Sequence, residues 1–186
     1  VLLTGFYTLV CLWIQPNSLR GLLSVFRAEP LLILLNALPI GLLILAFALL
    51  FSNVFYSAAL VGTLCAVLSV ANRIKIEVRD EPVFPRDLGL LKEAGSAVGS
   101  YDIRFPWPAI ALILGSCLLL VLLGAFLRGR PLSPGRPVWI RFLLRLAGAG
   151  ATIIVLTGLI FTVYASNPLY NSFPVSNPYY VPSVFN

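Results

Sequence analysis

The sequence predicts an all-α membrane protein, a bundle of about five transmembrane helices with short interfacial helices, the first span being truncated. Three observations predict it. Of 186 residues, 59% are hydrophobic and only 11% charged, where an ordinary soluble domain carries about 25% charged residues. Long stretches carry no charge at all, residues 30–72 and 105–127 among them. The three tryptophans, Trp13, Trp107 and Trp139, fall at or near the ends of apolar stretches, where the membrane–water boundary satisfies both ring and N–H.

The same composition, with a mean hydropathy of +0.96, excludes a cytosolic enzyme and a nucleic-acid module. The net charge of +6 is local, because all seven acids lie between Glu29 and Asp102. It reads as a topology signal, so the expected partner is the lipid bilayer and no nucleic acid. There is no His, which removes imidazole as a base or metal ligand within these residues. Cys11, Cys65 and Cys117 each sit inside an apolar run and are odd in number, so they read as inert packing residues rather than a disulfide framework.

Taken in order, residues 1–14 are too short to cross alone and end close to Trp13. They read as the second half of a span. The opening on Val1, the absence of Met and the lack of a basic leader lead to the expectation that the chain is a piece of a longer protein. In residues 15–30, Leu19, Leu22, Leu23 and Phe26 recur at helical spacing with Arg20 and Arg27 off that face, the pattern of an interfacial helix linking two spans. The uncharged residues 30–72 would make one helix of about 65 Å, twice the thickness of a bilayer core. They must cross twice. Ser52-Asn53 is the polar pair suited to the turn, giving spans at 30–51 and 54–71, with Pro39 expected to kink the first. A further span at 105–127 opens on Phe105-Pro106-Trp107-Pro108, proline being well suited to a first helical turn. The last, 146–165, carries Ala147, Gly148, Gly150, Ala151 and Gly158, small enough for close helix approach. The transmembrane domain is therefore expected to occupy residues 1–165.

No Asp, Glu, Lys or Arg lies in the central part of any expected span, which weakens a proton pump or ion-coupled transporter. Residues 128–145 hold five arginines and no acid, as a cytoplasmic loop does. With five spans this puts the tail outside. Residues 73–104 are the most polar part of the chain. Within them Arg79, Asp80, Glu81, Arg86, Asp87 and Lys92 are the candidates for holding an anionic phospholipid headgroup or a neighbouring domain, the arginines being suited to bidentate phosphate contact. The competing reading is a surface loop of ion pairs. Leu88, Leu91 and Val98 would line a short helix there. Residues 166–186 are uncharged and rich in Pro and aromatic residues, unlike a disordered linker. They are expected to be an extended connector.

Two stretches resemble a known family. Arg79-Asp80-Glu81-Pro82, followed by Asp87-Leu88 and Leu91-Lys92-Glu93-Ala94, is the first. The tail Phe173-Pro174-Val175-Ser176-Asn177-Pro178-Tyr179-Tyr180-Val181-Pro182-Ser183-Val184-Phe185-Asn186 is the second. Both resemble the membrane part of bacterial lipoteichoic acid synthase-like proteins, an LTA synthase/sulfatase-like family of the alkaline phosphatase superfamily. The resemblance implies five transmembrane helices in the bacterial plasma membrane and then an extracytoplasmic catalytic domain. In the family that domain uses a threonine nucleophile and a divalent metal, manganese or similar. It moves phosphoglycerol from phosphatidylglycerol to a polymer or glycan; relatives move phosphoethanolamine or cleave sulfate esters.

The chain ends where such a domain is expected to begin, so no catalytic, cofactor-binding or metal-binding residue is assigned within it. Thr4, Thr8, Thr63, Thr152, Thr157 and Thr162 all fall in apolar spans without metal-ligand neighbours, and read as helix-packing hydroxyls. Two other classes compete. A small transporter or channel subunit requires a polar cavity, for which Asn36, Ser57, Ser69 and Ser116 are the nearest candidates. A purely structural membrane protein would assemble through its Gly/Ala-rich last helix.

Overall fold

The computed structural model describes residues 1–16, 19–28, 30–79, 83, 105–127 and 137–165. The described residues form an all-helical bundle without strands. Helices α1 (Leu2–Ile14), α2 (Leu19–Ala28), α3 (Pro30–Phe51), α4 (Val54–Arg79), α5 (Trp107–Phe126) and α6 (Val138–Leu159) follow in order, and a π-helical segment, Ile160–Ala165, extends the last. Four of them, α3 to α6, are long and apolar enough to cross a membrane, and α1 is a shorter apolar helix. This is a membrane protein.

Two helices are longer than the apolar stretches that identify them. Helix α4 runs to Arg79 rather than stopping near residue 71. Its 26 residues make a rod of about 39 Å, longer than the roughly 30 Å hydrocarbon core. Arg73, Lys75, Glu77 and Arg79 therefore ride on the last two turns, beyond the apolar part, with no break in the helix. At the other end of the chain α6 begins at Val138 rather than near residue 146, so Arg141 and Arg145 belong to the helix and not to the loop before it. Charge marks where a helix leaves the apolar layer, not where the helix ends. Pro39 lies inside α3 without terminating it.

Helix α4 is the central element, packed against α1, α3 and α5, while α6 packs on α3. The reason is a row of small residues. Ala58, Gly62 and Ala66 recur every four residues and are buried, so a neighbour can approach the α4 backbone closely. Tyr7 of α1 fills that groove. It is fully buried, and a Cβ added at Gly62 would lie 2.3 Å from its ring. Its hydroxyl ends 3.5 Å from Ser116 Oγ on α5. Around it Ile40, Ile44, Ala59, Val61 and Leu120 close the main core. A second core, of Val10, Ile14, Ala66, Ala109 and Ile113, lies nearer the end of α1.

The α3–α4 turn is made by Ser52 and Asn53, as expected, and Asn53 joins three helices there. Ser52 takes a left-handed backbone conformation, φ 59°, that reverses the chain at once. Asn53 Oδ1 accepts from the backbone N–H of Phe55 at 2.9 Å and of Tyr56 at 3.4 Å, an N-cap on α4. Its Nδ2 donates to the carbonyl of Gly124 at 2.9 Å, one of the last-turn acceptors of α5 that the helix itself leaves without a partner. Gly124 permits this approach, because a Cβ there would meet the Tyr56 ring at 2.8 Å.

These contacts fix the direction of every helix. Tyr7 lies by Gly62 and Ile14 by Arg73, so α1 and α4 are parallel. Asn53 lies by Gly124 and Ala66 clusters with Ala109 and Ile113, so α4 and α5 are antiparallel. Gly148 packs on Leu49, and the buried residues beyond it, Ala149, Thr152 and Leu156, require α6 to run back along α3. The bundle thus has a turn end, with Ser52 and the starts of α4 and α6, and a loop end, where α1, α4 and α6 finish. Helix α2 connects at the loop end and leaves Leu19, Leu23 and Phe26 exposed, the apolar side that an interfacial helix turns to lipid.

The groove over Gly62 gives a direct check. Gly62→Ala forces a shift of Tyr7 and is expected to cost about 1–3 kcal/mol of overpacking. Gly150 has nothing within 4 Å of an added Cβ, and Gly150→Ala is expected to be neutral or to gain up to about 1 kcal/mol from helix propensity. Thermal unfolding of both variants in detergent, followed by circular dichroism, reads the difference; equal midpoints would remove Tyr7 from its place against α4.

Candidate functional site

The loop end carries a layer of polar side chains built on α4. Ser69, Asn72 and Arg73 sit at i, i+3 and i+4, on the face that meets the end of α1. Arg73 Nη1 donates to the Ile14 carbonyl at 3.0 Å, supplying a cation at the negative end of α1. The rest of the same guanidinium closes on one carboxylate oxygen: Nε lies 2.9 Å and Nη2 2.6 Å from Glu77 Oε1. Gln15 Nε2 donates to the Ser69 carbonyl at 3.4 Å, and Asn72 Nδ2 to Gln15 Oε1 at 3.5 Å. Asn72 Oδ1 in turn accepts the backbone N–H of Val83 at 2.9 Å. The chain just past α4 is therefore tied back to the bundle rather than leaving it freely.

Arg79 is the final residue of α4. Asp80, Glu81, Arg86, Asp87 and Lys92 lie outside the described residues, as do the expected short helix through Leu88, Leu91 and Val98 and the tail 166–186. In the sequence Gln15 opens the interfacial segment 15–30, and Arg73 and Glu77 open the polar segment 73–104 just after Asn72, so none of the four stands out as part of a site. Their signal was the helical spacing of 69, 72 and 73, which continues the buried face of α4 rather than starting a loop.

Six hydroxyls donate to carbonyls one turn back along the chain, whereas Thr63 Oγ1 is buried without a partner. Ser57 Oγ donates to the Asn53 carbonyl, Ser69 Oγ to Cys65, and Ser116 Oγ to Ile113. Thr8, Thr152 and Thr162 donate to the carbonyls of Thr4, Gly148 and Gly158. Such back-bonding uses the donor and leaves little for a solute. Cys11, Cys65 and Cys117 are unpaired. Among the described residues, no three His, Cys, Asp or Glu side chains gather as a metal ion would require.

No protein-family model, curated protein or solved structure matches this chain.

The Arg73 contacts separate by mutation. Arg73→Ala removes a charged hydrogen bond to the end of α1 and is expected to cost about 1.5–3 kcal/mol. Glu77→Gln touches only a pair of neighbouring turns, with the Glu77 side chain 40% exposed, and is expected to cost less than about 0.5 kcal/mol. Unfolding in detergent is the readout. A loss for Glu77→Gln as large as that for Arg73→Ala would show that the ion pair, and not the tie to Ile14, is what matters.

Proposed function

We propose that this chain is the membrane-embedded part of a lipoteichoic acid synthase-like transferase, anchoring an extracytoplasmic catalytic domain and presenting lipid to it. The group moved is phosphoglycerol, taken from phosphatidylglycerol to a cell-envelope polymer or glycan. The reading rests on the resemblance of the two stretches at 79–94 and 173–186. One observation of the bundle supports it: α4 and α6 both finish at the loop end, so both stretches leave the membrane on the same side. A headgroup gripped by Arg79 and Arg86 would then lie beside the connector to the catalytic domain. The tie from Asn72 to Val83 holds the first part of that segment close to the bilayer surface.

The orientation that belongs to this reading is a bacterial plasma membrane with the loop end outside. The segments at the turn end hold Arg128, Arg130, Arg136, Arg141 and Arg145 with no acid, the composition favoured in the cytoplasm. The divalent metal belongs to the catalytic domain; the described residues offer no ligand set for it, and the role of this chain is to hold and orient.

The test is made in cells producing this chain together with whatever its gene encodes after residue 186. Label from phosphatidylglycerol is expected to pass into an envelope polymer, and Arg79→Lys with Arg86→Lys, which keep charge but lose the bidentate fork, to lower that transfer several-fold at equal protein level. Cysteines at Tyr179→Cys, but not Ser133→Cys, are expected to react with an impermeant reagent on intact cells. Absence of transfer contradicts the transferase reading, unchanged transfer after Ala at both arginines contradicts the headgroup role, and the reverse labelling contradicts the orientation.

A further inference from the structure

Among the described residues, the turn end holds positive charge without an acid paired to it. All seven acids of the chain lie in residues 29–102, in segments that join the bundle at the loop end. Of the five arginines of residues 128–145, Arg141 and Arg145 are described, and neither forms an ion pair among the described residues. Both are fixed on α6. Arg141 and Arg145 are one helical turn apart, on the stripe that continues as Ala149, Thr152 and Leu156 against α3. Both are half-buried, yet the Nε of each is shielded from solvent without a hydrogen-bond partner.

Register places this pair at the rim of the membrane. Gly148 packs on Leu49, so Arg145, three residues earlier on an antiparallel helix, lies level with Ser52, and Arg141 about 6 Å further out. Ser52 Oγ is also buried and without a partner. Three of the four buried, unpartnered side-chain polar atoms of the described residues thus collect at this one end, and all three are hydrogen-bond donors. Buried donors left in this way cost free energy unless an acceptor meets them. The surface beside them is apolar: Phe142, Leu143, Leu144 and Leu146 are exposed, and Trp139 stands one position past Val138 at the head of the helix, where interfacial tryptophan belongs.

We propose that Arg141 and Arg145 hold the phosphate of an anionic phospholipid in the leaflet at the turn end, its acyl chains lying along the exposed leucines of α6. The guanidinium forks supply bidentate donors to phosphate oxygens, and the missing negative charge comes from the lipid rather than from the protein. This site is at the opposite end of the bundle from Arg79 and stands independently of the transferase reading.

The experiment uses the purified chain in detergent, with phosphatidylglycerol or phosphatidylcholine of identical acyl chains added, and counts retained lipid by native mass spectrometry. Phosphatidylglycerol is expected to be retained preferentially. Arg141→Gln with Arg145→Gln is expected to weaken its retention about tenfold or more, two surface cations being lost. Arg141→Lys with Arg145→Lys, which preserves charge and guards against a folding failure, is expected to fall in between. Arg20→Gln with Arg27→Gln, on α2 at the other end, is expected to leave it unchanged. Equal retention of the two lipids, equal loss in the α2 control, or displacement by millimolar inorganic phosphate would overturn the proposal, the last by showing an anion site with no need of a lipid.

Discussion

Helix ends at the rim of an apolar layer leave backbone groups that water does not reach, and one side chain answers for two of these ends. Asn53 accepts from the first N–H groups of α4 and donates to a last-turn carbonyl of α5. An N-cap contributes about 1 kcal/mol, and a hydrogen bond between membrane helices about 0.6 kcal/mol on average. The larger effect is on register. Once Asn53 meets Gly124, Tyr56 lies over the same glycine, Ala66 reaches Ala109 and Ile113, and the small-residue groove of α4 faces Tyr7. A slide of one turn along α5 would break the bond from Asn53 to Gly124 and drive Tyr56 into side chains where Gly124 now leaves room.

The opposite end is tied by a different chemistry to the same purpose. There the orphan carbonyl belongs to α1, and Arg73 supplies the donor, with Gln15 and Asn72 extending the tie to Val83. In the middle of the bundle Tyr7 approaches Ser116, and the small residues of α4 bring the backbones together. An apolar shaft with polar locks at both rims gives an anchor of fixed length. Helices α4 and α6 finish at its loop end, and at its turn end Arg141 and Arg145 form no ion pair among the described residues. Each end meets a membrane surface with a different charge balance, which is what a protein must do to sit in a bilayer one way round.

Much of this architecture was legible because hydrophobic length is a coarse and strong signal. The hairpin at Ser52-Asn53 followed from an uncharged run too long for one crossing, and Phe105-Pro106-Trp107-Pro108 marked the start of α5 because proline fits there. The helix bounds were less legible. Arg73 and Arg145 ended the apolar windows, yet a helix costs nothing extra by continuing into the headgroup region, so α4 and α6 outrun their apolar stretches by two turns. Close packing was legible in part: Gly148 of α6 packs on Leu49, Gly150 and Gly158 face open space, and the groove of Ala58, Gly62 and Ala66 on α4 did not stand out in the sequence. Small residues permit close approach, but only a partner of the right shape, here Tyr7, uses it. The candidate residues Asp80, Glu81, Arg86, Asp87 and Lys92 were found by composition and family resemblance. The polar layer of Gln15, Asn72, Arg73 and Glu77 needed the third dimension, since residues 15 and 72 are neighbours only after folding.

The most direct measurement compares Asn53→Ala with Asn53→Ser by reversible unfolding in detergent or bicelles. Serine keeps an acceptor for the α4 N-terminus but is too short to reach Gly124. Alanine is expected to lose about 1.5–2.5 kcal/mol, the cap and the interhelical bond together, and serine only about 0.6–1.7 kcal/mol, the interhelical bond alone. Wild-type stability in the alanine variant would contradict the claim that this amide holds the turn end together.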